Sequence, residues 1–99
     1  ENQSAAAVSS YSKTLTVSAT AYTHTGNRTA TGTVARVGII AVDPRVIPLG
    51  TKVYVEGYGY ATAEDTGGAI KGNRIDIFLN SNAECINWGR RSVKVYILD

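Results

Sequence analysis

Three stretches of this chain place an apolar residue at every second position: "LTVSATAY" (15–22), "NRIDIFL" (73–79) and "RSVKVYIL" (91–98). A helix would spread that pattern around its whole circumference, so these stretches read as extended strands with one buried face. "VGIIAV" (37–42) is a short continuous apolar run, suited to a strand covered on both sides. "KVYVEGYGYATAE" supplies two more strands, about 52–56 and 58–64, set around glycines. "DPRVIPLGT" (43–51) carries two prolines and a glycine and reads as an ordered excursion. "SNAECINWG" is the one helix candidate, with Ser81 and Glu84 in capping-box spacing and Gly89 at the C-terminal cap position. Six or seven short strands, one short helix and ten glycines cannot protect the edges of an open sheet. The expected fold is therefore all-β, a small closed barrel with one short helix. The polar residues 1–14 read as a flexible arm or linker, and 15–99 as the domain.

At 99 residues the chain has room for a single core. A net charge of +2 without any Lys/Arg run gives no footprint for nucleic acid. The lone Cys85 excludes an intramolecular disulfide and thiolate-pair metal sites, and reads as a small buried hydrophobe. No apolar run approaches the ~20 residues of a membrane span, so no stable membrane insertion is expected of this fragment. The absence of methionine leads us to expect a processed or partial chain.

Three acids could carry chemistry: Asp43 in "AVDP", Asp65 in "AEDTGG" and Asp76 in "RIDIF". Asp before Pro forms turns, Asp-Thr-Gly forms Asx turns, and Asp76 could be a surface residue paired with Arg74 or Lys71. Asp76 is the hardest to dismiss, because Asp is disfavoured in strands and this one stands between two isoleucines. Such surroundings raise a carboxyl pKa, as a general acid near neutrality requires. Asp65-Thr66-Gly67 in a chain this short suggests a retroviral-type aspartic protease half-site. The motif lies in the last third of the chain, however, and the supporting segment of those proteases is missing. Gly67 and Gly68 allow close approach of a ligand to backbone N–H groups, and Lys71 could anchor an acidic or hydroxyl-rich group. Walker spacing is absent, as is EF-hand spacing around the acids, and no metal or other cofactor is expected. His24 has no nucleophile partner in view. Trp88 is expected to cover core, whereas Tyr22 and Tyr58 to Tyr60 are candidates for lining a groove.

"ATAY" (19–22), "AVDPRVIPLGTKVYVEGYG" (41–59), "AEDTGGAIKGNRIDIF" (63–78) and "WGRRSVKVYIL" (88–98) resemble the three-aspartate, or 3D, domain of bacterial cell-wall-lytic stationary-phase survival proteins. The glycine loop and Asp76 are also similar to the C-terminal part of membrane-bound lytic transglycosylase A. The resemblance implies a six-stranded double-psi β-barrel and a lytic transglycosylase that cleaves the MurNAc–GlcNAc β-1,4 bond of peptidoglycan, leaving 1,6-anhydroMurNAc. It implies Asp76 as the acid and then the base, with Asp65 and Asp43 lining the same groove. Tyr22, Thr66, Gly67, Gly68, Ala69 and Lys71 are the expected substrate-binding residues. The location it implies is extracytoplasmic, at the bacterial cell envelope. A peptidoglycan hydrolase using two aspartates and a non-catalytic wall-binding module are the rival expectations. The polar arm offers one route to a strand-exchanged homodimer.

Overall fold

A computed structural model describes residues 10–98. Its elements run β1 (Tyr11–Tyr22), β2 (Ile39–Ala41), β3 (Lys52–Val55), β4 (Gly59–Asp65), β5 (Arg74–Phe78), α1 (Asn82–Trp88) and β6 (Arg91–Leu98). The strands close into a barrel in the order β1-β5-β2-β4-β3-β6. Two pairings, β1 with β5 and β2 with β4, are parallel, and the remaining four are antiparallel. Parallel partners cannot be joined by a hairpin, so the chain crosses over between them, as the double-psi expectation requires. β1 starts at Tyr11, before the expected domain start at Leu15, because Tyr11 to Thr14 extend the ladder along β6. Of the expected arm, residues 1–9 lie outside the described residues.

Alternation decides the interior. Val17, Ile40, Val53, Val55, Ile75, Ile77 and Val95 point inward and are essentially fully buried. Each such side chain contributes about 1.5–3 kcal/mol relative to exposure, and closure leaves no sheet edge to protect. Phe78 faces outward, on the same side of β5 as Arg74 and Asp76, yet it is also fully buried. The ring edges of Tyr22 (5.5 Å) and His24 (4.9 Å) roof it over.

Ser81 caps α1 by accepting from the Glu84 N–H (3.2 Å), and Glu84 accepts in return from the Asn80 N–H (3.1 Å). Gly89 closes the other end at φ 66°, a conformation that favours glycine. Seven residues do not hold a helix alone in water, so tertiary contact must do so. Trp88 provides it. The indole is buried in the core, its Nε1–H donates to the Ala19 carbonyl (3.1 Å), and the Arg91 guanidinium lies 3.9 Å over its ring. Cys85 on the same helix is partly rather than fully buried.

Two of the tyrosines expected in a groove are elsewhere. The Tyr58 hydroxyl donates to the Phe78 carbonyl (2.7 Å) and accepts from the Gly38 N–H (2.8 Å), a structural brace. Tyr60 belongs to an outer aromatic row with Tyr54, Tyr96 and Tyr11, whose neighbouring rings lie 4.8, 6.2 and 5.0 Å apart.

Candidate functional site

The site is assembled around the shortest strand. Ala41 at the end of β2 is in register with Asp76 on β5 on one side and with Asp65 on β4 on the other. Two strand spacings, roughly 9–10 Å of backbone, therefore separate the acids, with a methyl group as the floor between them. Residue parity alone would not place Asp65 there. On β4 the inward positions are Ala61 and Ala63, so Asp65 should also point inward. A register shift between Ile40/Ala63 and Ala41/Asp65 makes Glu64 the extra residue, and this bulge re-aims Asp65 outward. Asp76 needs no such device, because its neighbours Ile75 and Ile77 take the interior.

A cavity of about 330 Å³ opens over this rung, lined by Tyr22, Thr25, Asn27, Ala35, Ala41, Asp65, Thr66, Gly67, Ile70 and Asp76. Burial raises the Asp76 carboxyl above its ordinary pKa, and the charge of Asp65 adds to the rise; the Thr20 hydroxyl and Arg74 oppose it. Thr20 Oγ1–H donates to Asp76 Oδ1 at 3.0 Å across the parallel β1–β5 rung. Asp65 accepts from the Ala30 N–H (2.9 Å), the Thr66 N–H (2.9 Å) and the Tyr22 hydroxyl (3.2 Å). Burial foremost, then Asp65, pushes the Tyr22 phenol well above its ordinary pKa, so it stays a donor.

The structure thus brings Asp76, Asp65, Tyr22, Thr66 and Gly67 together. Gly68, Ala69 and Lys71 are exposed and lie outside the residues lining the cavity. Asp43, expected in the same groove, is not there either. It is 3% exposed, and its carboxylate accepts from Arg45 N–H, Nε and Nη2 and from the Gly72 N–H. Those donors, the Arg45 side chain foremost, hold its pKa far below the usual carboxylate range. Asp43 ties the 43–47 turn to the end of the glycine loop, a supporting role. A turn at Asp43 is what its Pro neighbour suggests, and the Arg45 N–H bond to its side chain belongs to that turn.

Thr20 and Ala41 were not legible as site residues. Only the parallel register brings Thr20 to Asp76, and an alanine in a strand gives no signal of its own. Thr20→Val should retain the shape and remove a bond that favours the carboxylate, so the Asp76 pKa should rise further. An NMR titration of the Asp76 carboxyl carbon reads this directly; an unmoved midpoint would show that Thr20 does not act on Asp76.

The remaining wall is the 23–38 loop, which β4 holds in place. Arg36 makes a two-point ion pair with Glu64 (2.9 and 2.8 Å), and Thr33 Oγ1–H donates to the same carboxylate at 2.6 Å. The Thr31 N–H donates to the Glu64 carbonyl (3.2 Å), and Asp65 takes the Ala30 N–H. The bulge pair Glu64–Asp65 therefore anchors the loop from both of its side chains.

Residues 38–99 match the family model of the 3D domain, and the chain belongs to that family. The cell wall-binding protein YocH of Bacillus subtilis is 56% identical over 89% of the chain. Among solved structures, the lytic transglycosylase LtgG of Burkholderia pseudomallei superposes with a TM-score of 0.61 over 73% of the chain at 30% identity. MltA of E. coli shares the fold, with a TM-score of 0.60 over 74% of the chain at 24% identity. The chain spans 33% of the length of YocH, 26% of LtgG and 27% of MltA.

Proposed function

We propose that this domain is a peptidoglycan lytic transglycosylase at the bacterial cell envelope, with Asp76 as its acid and then its base. The observation that carries the reading is Asp76 itself: a carboxyl of raised pKa, oriented by Thr20 and open to a cleft. The likeness to LtgG, a lytic transglycosylase, supports it. In the reaction the protonated Asp76 gives its proton to the glycosidic oxygen as the C1–O bond breaks. The oxocarbenium-like centre forms over a cavity that also holds the negative charge of Asp65, which lowers the cost of that charge separation. The Asp76 carboxylate then takes the proton of the muramic C6 hydroxyl as its oxygen bonds to C1. Asp76 ends protonated, no water is consumed, and one acid serves both steps, unlike the two carboxylates of ordinary glycosidases. Tyr22 keeps Asp65 in place by donating to it. No step needs a metal or a cofactor.

Digestion of purified peptidoglycan with mass analysis of the fragments tests this. Fragments ending in 1,6-anhydromuramic acid are expected; reducing ends one water heavier would make the domain a hydrolase. A second reading, wall binding without turnover, takes its support from the name of YocH. Retention on peptidoglycan with no released fragments would establish that reading instead.

A further inference from the structure

The cleft does not end at Asp76. A second cavity of about 320 Å³ adjoins the first and shares Thr25, Asn27 and Ala35 with it. Its far side is formed by His24, Arg28 and Val34. Each cavity alone is at the small end of the ~300–1,000 Å³ typical of ligand sites, and the pair lies well within that range. The two halves differ in chemistry. The first holds both carboxylates and no basic side chain; the second holds an arginine and a histidine and no acid.

Arg28 is the arginine of this second cavity. Arg36 is paired with Glu64, Arg45 with Asp43, and Arg91 is stacked on Trp88. Among the described residues Arg28 has no acidic partner within ion-pair distance, and its hydrogen bond goes from Nη1 to the Gly32 carbonyl at 3.3 Å. A guanidinium carries five N–H donors, so most of its fork stays available. The loop that bears it is fixed at both ends of the bulge pair, by Ala30 on Asp65 and by Arg36 on Glu64. Val34, 61% exposed, is an apolar surface in the same cavity.

We infer that this second cavity is a subsite for a carboxylate-bearing, methyl-bearing substituent of the glycan, with Arg28 binding the carboxylate and Val34 the methyl group. The inference rests on the proposed glycan substrate and concerns binding, not bond cleavage. An N-acetylglucosamine backbone is uncharged, so a cation beside the cleft serves only a substituted sugar. In peptidoglycan that carboxylate has two sources: the lactyl ether of muramic acid once its peptide is removed, or the stem peptide itself. Planar, forked recognition of a carboxylate is the chemistry for which arginine is suited.

Binding by three soluble tetrasaccharides, measured by calorimetry with Asp76→Asn so that none is consumed, tests this. The ligands are a peptide-bearing peptidoglycan fragment, the same fragment stripped by an amidase so that the lactyl carboxylate is free, and chitotetraose. At least one of the first two should bind about three- to tenfold more tightly than chitotetraose, a preference that weakens with added salt. Arg28→Ala should erase the preference and leave chitotetraose binding unchanged, and Arg28→Lys should restore part of it. Preference for the peptide-bearing fragment alone assigns the carboxylate to the stem, preference for the stripped fragment alone assigns it to the lactyl group, and preference for both shows that Arg28 accepts either. An unchanged ratio in Arg28→Ala, or equal binding of all three ligands, overturns the inference. The catalytic reading stands or falls separately, on the products released by the unmodified domain.

Discussion

Asp76→Ala and Asp76→Asn should both fold and should release 1,6-anhydromuropeptides roughly 10²–10⁴-fold more slowly than the unmodified domain, the range set by loss of a general acid. Undiminished product from either variant would remove Asp76 from the chemistry. The same residue makes a second, opposite prediction for stability. Burial raises the Asp76 pKa on folding, so the folded chain holds this proton more tightly than the unfolded one. The stability it contributes is present below the ordinary carboxylate pKa and falls as pH rises through the interval up to the folded pKa. Above the ordinary carboxylate range this raised pKa is a cost that Asn does not carry. Asp76→Asn should therefore melt above the unmodified domain at pH 7, and the gap should close as the pH is lowered to the ordinary carboxylate range. Scanning calorimetry at the two pH values measures this, and a variant that melts lower at pH 7 would contradict the assignment. Gain in stability with loss of activity is the pattern expected of a residue kept for function.

Trp88→Ala should cost about 3–5 kcal/mol, the usual range for removing a buried indole. Native domains have only about 5–15 kcal/mol in hand, so the loss is a large share of the total. The indole fills the core beside α1, donates to the Ala19 carbonyl and seats Arg91. Trp88→Phe keeps much of the apolar volume but leaves the buried Ala19 carbonyl without its donor, at about 1–3 kcal/mol. Urea unfolding of both variants gives the two numbers. A loss below about 1 kcal/mol for the alanine variant would show that the helix is dispensable to the barrel. Ala19 immediately precedes Thr20, so the same contact steadies the strand position from which Asp76 is oriented.

The elements were legible because their signals are local. Alternation in "NRIDIFL" and "RSVKVYIL" sets which residues face inward, and Ser81, Glu84 and Gly89 mark the helix ends at the residues where they fall. Closure followed from the need to protect strand edges, and the family resemblance supplied the double-psi topology, which no local pattern encodes. Asp76 was legible since an acid between isoleucines contradicts its strand environment. Asp65 could be found by its motif but not aimed, because parity points it into the core and only the Glu64 bulge turns it out. Asp43 was misplaced for a related reason: its motif position is next to the groove, while its side chain is drawn away by Arg45 and Gly72. Tyr60 misled because glycine-flanked tyrosines look alike in sequence, whether they line a cleft or an outer row.

The two acids are mounted differently, and this has a mechanical consequence. Asp76 and Thr20 occupy one rung of adjacent strands, so bending or shearing of the sheet carries donor and acceptor along together. Asp65 is held instead across the mouth of the barrel, by a tyrosine three strands away and by a loop amide. On the proposed reading, the acid keeps its Thr20 partner through such motion, while the carboxylate opposite it depends on spans across the mouth.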